Sequence, residues 1–390
     1  MSDTTGQDQQ QNMRRVALTS LAGTSIEWYD FFLYATAAAV IFPIAFFPQE
    51  DPTTALLISF SSLAVGFLAR PLGGIVFGHF GDRIGRKRTL VVALMMMGIT
   101  TTLIGFLPTY ASIGVAAPIL LVLLRFVQGL AIGGQWGGAM LLVTESAPAD
   151  QRGWYGAYAQ AGAPLGVVLA NLAFIGVSSS MSDEAFMDWG WRLPFIASIV
   201  LIGISMYIQL KIEDTQAFQS LSNAQSATDK PAETVKRSPV IEAIRKYPKR
   251  IMLAAGAFLS VQVTFYILIA FVISYGMQSP DLMLSKDLML TAVLVAAAIM
   301  VPTQFYFSGL SDKIGRKNVY RWGAILTGAW GFALFPLIDT GNPLFICLAI
   351  TMGLLFLGMQ YGPQAAYFTE LFSTEVRYSG ASLGYQLGAI

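Results

Sequence analysis

The sequence predicts an all-α polytopic membrane protein assembled from two parallel repeats, and three observations carry that prediction. The first is composition: of 390 residues, 55% are hydrophobic and only 12% charged, against roughly 25% charged in a soluble domain. Mean hydropathy is +0.59. The second is a series of apolar runs of about 20 residues, the length a helix needs to cross roughly 30 Å of hydrocarbon. The third is a pair of loop motifs that each occur twice, in the same order. Composition also excludes some functions. With 24 Lys+Arg against 23 Asp+Glu the net charge is +1, so no basic face for nucleic acid is expected. One cysteine, Cys347, excludes an internal disulfide framework, and one histidine, His79, leaves no metal cluster and no His-based catalytic constellation.

The elements follow in order along the chain. The opening MSDTTGQDQQQNM is polar and Gln-rich, without the basic region and short apolar stretch of a cleaved signal peptide. Apolar runs predict spans at 18–46, 54–77, 89–108, 118–143, 154–177 and 192–211. A second series is predicted at 251–277, 288–309, 319–338 and 343–368, and another run opens at Tyr378. Between Lys211 and Arg250 the chain turns polar and then basic, its only long hydrophilic stretch. This divides it into a tail at 1–15, a first membrane half at 16–212, a linker at 213–250 and a second half at 251–390. Arg14, Arg15, Arg83, Lys87, Arg88, Lys313, Lys317 and Arg321 cluster at alternate ends of the spans. The opposite ends carry QEDP at 49–52, SDEAFMDWG at 182–190 and SPDLMLSKD at 279–287, where Lys286 is the lone basic residue. By the positive-inside rule the N-terminus and the linker are expected in the cytoplasm.

The repeat is read from two loops. FGHFGDRIGRK at 77–87 parallels FSGLSDKIGRK at 307–317, and Thr144-Glu145 with Arg152 parallels Thr369-Glu370 with Arg377. One such loop alone is an ordinary basic turn. Two motifs repeated in the same order on the same side predict halves related by an axis along the membrane normal, with a substrate site between them at mid-depth.

The loops GDRIGRKR and SDKIGRKN resemble the signature loops of the major facilitator superfamily. Three longer stretches resemble its metabolite–proton symporter family: GTSIEWYDFFLYA at 23–35, RPLGGIVFGHFGDRIGRKRTL at 70–90 and RFVQGLAIGGQWGGAMLLVTESAPADQRGWYGAYAQAGAPLG at 125–166. The resemblance implies a fold of two six-helix halves in the inner membrane, working as a monomer without cofactor or metal. It implies uptake of small organic acids or zwitterions such as shikimate, 2-oxoglutarate, citrate, proline or betaine, with the proton as coupling ion. Members have 12 spans, so the second half is expected to stop inside span 11. Only Gly162-Ala163-Pro164-Leu165-Gly166 resembles the Gly/Pro motif of drug exporters on span 5, which favours uptake.

Ionisable side chains inside spans cost about 2.5–3.5 kcal/mol each on insertion scales and are functional candidates by default. Glu27, Asp30 and Tyr34 lie at i, i+3 and i+7 of span 1, one helical face. Arg125, with Gln128 one turn on, lies in span 4. A rise of 1.5 Å per residue puts Asp30 about 18 Å and Arg125 about 20 Å from the inner surface. An intramembrane pair of Asp30 with Arg125 is therefore expected, Glu27 lying one turn away. Protonating Asp30 releases Arg125 to engage a substrate carboxylate through its bidentate fork; the alternative is a purely structural pair, and for Glu27 a gate. Gln160 and Asn171 on span 5, Gln262 and Tyr266 on span 7, and Gln360, Gln364 and Tyr367 on span 10 mark further polar faces. Helix–helix hydrogen bonds are the alternative use for each. Trp28, Tyr29 and Trp136 are read as packing before cation stacking, and Arg70 as a snorkelling or gate residue near the inner end of span 2.

The loop motifs are read as a latch on the cytoplasmic face. Asp82 and Asp312 are expected to begin the turns into spans 3 and 9, where a carboxylate satisfies free N–H groups. Arg86, Glu145 and Arg152, mirrored by Arg316, Glu370 and Arg377, complete a charge network that the resemblance implies holds the halves together in the outward-open form. No G-x-x-x-x-G-K-[ST] occurs, which excludes ATP-driven transport, and an enzyme is not expected. The favoured function is proton-coupled import of a small organic acid or zwitterion. The alternatives are sodium symport or anion exchange, and a non-transporting sensor, for which the linker is short.

Overall fold

In a computed structural model the backbone is described at residues 2–84, 86–133, 140, 143–144, 146–211, 244–372 and 377–389. Side chains at 2–12, 19, 75, 78–91, 205, 207–211, 377–379 and 382 lie outside that description, as does the linker stretch 212–243. Among the described residues eleven long helices follow in order: α1 Ser2–Val40, α2 Pro52–Ile84, α3 Arg86–Phe106, α4 Ala116–Gly133, α5 Arg152–Ser178, α6 Arg192–Lys211, α7 Pro248–Tyr266, α8 Lys286–Ile314, α9 Arg316–Ile338, α10 Pro343–Glu370 and α11 Arg377–Gly388. No strand occurs among the described residues. Seven helices among them are long and apolar enough to cross a membrane, and the pair 183–190 and 192–204, bent by 51°, makes an eighth. α7 continues through a π-helical turn, Ile267–Phe271, into Val272–Gln278.

Local chemistry explains where helices stop. α1 breaks at Val40, and a short helix, Phe42–Phe46, restarts with Pro43 in its first turn. Its start at Ser2 lies well before the predicted 18, because a Gln-rich stretch without proline is helix-compatible. Asp51 accepts from the N–H groups of Thr53 and Thr54 at 3.2 Å, satisfying free donors at the start of α2. Hydrogen bonds from the Thr54 hydroxyl and these amides hold its carboxyl below the usual range. Ser285 caps α8 through the Leu288 N–H, and Asn342 caps α10 through that of Leu344. The α8–α9 junction turns at Gly315, whose φ of +92° is a conformation L side chains rarely adopt.

Packing follows the small residues. α1 lies on α5 and α6, α2 on α4, α3 on α4 and α6, α8 on α9 and α10, and α7 on α11. The halves meet chiefly where α5 faces α8 and α10. A Cβ on Gly129 would strike the Gly66 carbonyl, and one on Gly133 the Arg70 carbonyl, so α2 and α4 touch backbone to backbone. Gly162 and Gly166 do the same for α5 against Thr24 and Trp28 of α1. In a membrane, where apolar surface gains little from leaving lipid, such close approach is what holds helices together.

Candidate functional site

The polar face of α1 is buried in the first half. Asp30 is 1% exposed and Arg125 0%. The expected direct pair is not made, for no ion pair joins the two among the described residues. The Arg125 guanidinium instead lies over Phe31 at 4.5 Å and Tyr34 at 4.3 Å, in space left by Gly66. Its Nη1 donates to Gln128 Oε1 at 2.7 Å, and Gln128 Nε2 donates to Thr101 Oγ1 at 2.6 Å. Asp30 lies beside Ser198 and Thr101, yet neither carboxylate oxygen makes an aligned hydrogen bond. Two rings and an amide take the surfaces that sequence reasoning reserved for Asp30. Gln128 and Thr101 lie between the two charges without closing the link, for the Thr101 hydroxyl donates to the Met97 carbonyl. Tyr34 shares a 2.7 Å hydrogen bond with Ser62.

Of the two roles expected for Arg70, snorkelling and gating, burial argues against the first. It is 2% exposed, with its guanidinium over Phe67 at 4.3 Å and over Phe31 at 5.1 Å. It lines a cavity with Glu27, Trp28, Phe31, Ile132, Tyr385 and Gln386, of about 10 Å³, roughly one water. The apolar walls and the close contact with α4 fold it inwards, where position alone pointed to the surface. Trp28 stacks on Phe32 at 5.4 Å and Tyr29 donates to the Pro194 carbonyl, so both are core residues.

The other predicted polar residues divide by partner. Gln160 Nε2 donates to the Tyr361 carbonyl at 2.9 Å across the halves, and Gln360 to Thr327, the helix–helix bonds that were the alternative. Asn171 Oδ1, Gln262 Nε2, the Tyr266 hydroxyl and both amide atoms of Gln364 are buried without a partner. So are both amide atoms of Gln304, which sequence reasoning missed. A lone amide in an apolar run was the available signal. Tyr266 packs its ring 5.7 Å from Phe31 and 5.5 Å from Phe67, and Phe265 lies 5.5 Å from Phe32. The halves therefore touch at their centre.

They also touch at both ends. At one, Asp312 accepts from the N–H groups of Gly153 at 2.9 Å and Trp154 at 2.8 Å. The carboxylate was expected to cap span 9. It lies instead in the last turns of α8, one turn before the Gly315 break, and reaches the start of α5 in the other half. Arg316 bridges Asp312 at 2.6 Å and Glu370 at 3.4 Å. Arg152 is half-buried at the first turn of α5, its Nε without a partner. The side chains of Asp82, Arg86, Glu145 and Arg377, like those of His79 and Trp136, lie outside the described residues. At the other end Lys286 of α8 lies 3.7 Å from Asp183 and 4.5 Å from the centre of the Phe186 ring.

Helices in two halves thus meet at both ends and at the centre around a buried charged cluster. Residues 19–390 match the Major Facilitator Superfamily, and the chain belongs to that superfamily. It is 41% identical to the inner membrane metabolite transport protein YhjE of Escherichia coli K12, over 96% of this chain and 84% of that one. It is 39% identical to the shikimate transporter of Escherichia coli K12 (97% and 84% covered) and 31% identical to the proline/betaine transporter of Salmonella typhimurium LT2 (97% and 75%). The partially occluded, inward-open xylose transporter XylE of Escherichia coli has the same fold, with a TM-score of 0.74 at 16% identity over 97% and 89% of the chains. The protein is thus a multi-pass membrane transporter and not an enzyme.

Proposed function

We propose that the protein imports a small organic acid or zwitterionic metabolite by proton symport. The observation that carries this reading is the separation of charge inside one buried cluster. Asp30 has a carboxylate without a hydrogen-bond partner, and Arg125 has Nε and Nη2 without one, with Gln128 and Thr101 between them. A proton on Asp30 removes its charge and leaves Arg125 for a substrate carboxylate. Loss of the proton restores the attraction and weakens substrate binding. Glu27 is the second proton site. Gln128, Tyr34, Gln160, Asn171, Gln262, Tyr266 and Gln364 complete the substrate surface. Relatives named for shikimate and for proline and betaine support an acid or zwitterion as substrate.

Asp312, Arg316, Glu370 and Arg152, with Asp82, Arg86, Glu145 and Arg377 of the repeated motifs, form the cytoplasmic gate in this reading. The N-terminus is cytoplasmic, the membrane is the inner one, and the transporter acts as a monomer with the proton as its only coupling ion. The test is uptake of labelled shikimate, 2-oxoglutarate, citrate, betaine and proline, with and without an inward proton gradient. Uptake is expected to rise as external pH falls and to collapse with a protonophore. Sodium-dependent uptake that resists the protonophore would overturn the coupling.

A further inference from the structure

We propose that Arg70 is a second anion-binding arginine of the substrate site, so that the transported acid carries two anionic ends. The proposal rests on the acid-import reading above and deepens it. Arg70 and Arg125 approach the same ring, Phe31, at 5.1 and 4.5 Å. Both leave the same edge unused: Nε and Nη2 of each are buried without a hydrogen-bond partner. That edge carries the two parallel N–H groups with which a guanidinium grips a carboxylate. The second half adds two more unspent groups. The Tyr266 hydroxyl lies against Arg70 and Gln262, with Arg125 nearby, and neither it nor Gln262 Nε2 makes an aligned hydrogen bond there.

Every free group named here can donate, and the guanidinium and amide nitrogens can only donate. Burying donors without acceptors costs about 1–3 kcal/mol each, and more for charged groups. Aromatic faces relieve part of the cost for the arginines but accept nothing at the Nε edge. What these two edges lack is a bonded acceptor, since the Asp30 oxygens, free in the same cluster, pair with neither arginine, and two guanidinium edges call for two carboxylates. Glu27 shares a cavity wall with Arg70, yet the Nε and Nη2 edge remains unbonded. The groups come from α2, α4 and α7, so an acid bound between them draws the two halves together.

The test measures binding to the purified protein in nanodiscs, by calorimetry, for acids paired by length: succinate and butyrate, glutarate and valerate, adipate and hexanoate. At least one dicarboxylate is expected to bind about tenfold or more tightly than its monocarboxylate partner. Arg70→Gln should abolish that preference, and Tyr266→Phe, which keeps the ring packing, should reduce it. If Arg70→Gln does not fold, Arg70→Lys keeps the charge but loses the fork, and the preference should still fall about tenfold. The proposal is overturned if no pair shows a preference, or if the preference survives both the Arg70 variant and Tyr266→Phe. Arg125-dependent monocarboxylate binding without any preference overturns this proposal alone. Absence of acid binding, or binding indifferent to Arg125→Gln, also sinks the organic-acid branch of the import reading and leaves only a zwitterion.

Discussion

At the scale of single residues, the transport reading turns on which charge Arg125 serves. Asp30→Asn mimics the protonated state, so substrate exchange should persist while accumulation driven by the proton gradient is lost. Arg125→Gln should lose carboxylate binding by at least about tenfold, since a neutral amide replaces a charge-assisted fork. Counterflow and concentrative uptake in reconstituted vesicles separate the two. An Asp30→Asn protein that still concentrates substrate would pass the coupling role to Glu27. Gln128→Ala probes the hydrogen bond that holds Arg125: its loss from a charged group, worth about 1.5–3 kcal/mol, should lower both melting temperature and substrate affinity. Asp30 and Arg125 were legible because an ionisable side chain in an apolar run stands out. Their contacts were not, since the rings of Phe31 and Tyr34 and the hydroxyl of Thr101 reach Arg125 or Gln128 only through folding. The burial of Arg70 was hidden for a related reason. Distance along the helix from a basic loop predicts snorkelling, and only the α2–α4 backbone contact shows that the side chain has nowhere to go but inwards.

At the scale of helices, the small residues decide which elements can touch. A Cβ on Gly166 would fall 2.6 Å from the Trp28 Cβ, whereas Gly176 in the same helix has nothing within 4 Å. Gly166→Ala should therefore destabilise by about 1–3 kcal/mol through forced separation of α1 and α5. Gly176→Ala should be neutral or stabilising by about 0.5–1 kcal/mol. Thermal unfolding of the two variants in detergent checks the contrast, and equal effects would mean that α1 and α5 are not in close contact. Helix positions were largely legible, because hydrophobic length is a direct physical requirement of the bilayer. The 51° bend between 190 and 192 and the π-helical turn at Ile267–Phe271 were not, since neither alters hydrophobic length. The Asp312 motif was visible, but its partner was assigned to the wrong helix. A carboxylate near a turn suggests a local cap, and sequence proximity cannot reveal that the start of α5 lies closer.

At the scale of the whole molecule, contacts at opposite ends of the α5–α8 seam set the conformational balance. The Asp312 carboxylate and the Lys286 ammonium both leave α8 for the first half, one at each end of the same helix. Opening either mouth requires breaking one contact while keeping the other. The two should therefore bias the equilibrium in opposite directions, each by its own difference in free energy between the states. Asp312→Asn weakens two charge-assisted bonds to Gly153 and Trp154 and the bridge to Arg316, so it should favour opening at the Asp312 end. Lys286→Gln removes a bridge to a 92% exposed aspartate side chain and a cation–π contact. Its effect should be smaller, about 1 kcal/mol or less, and opposite in sign. Spectroscopic distances between spin labels across each mouth report both populations. The double variant should move back towards the wild-type balance while exchanging faster, because both closed ends have been loosened. If both single variants open the same mouth, the contacts belong to one cooperative closure and α8 does not rock between two gates.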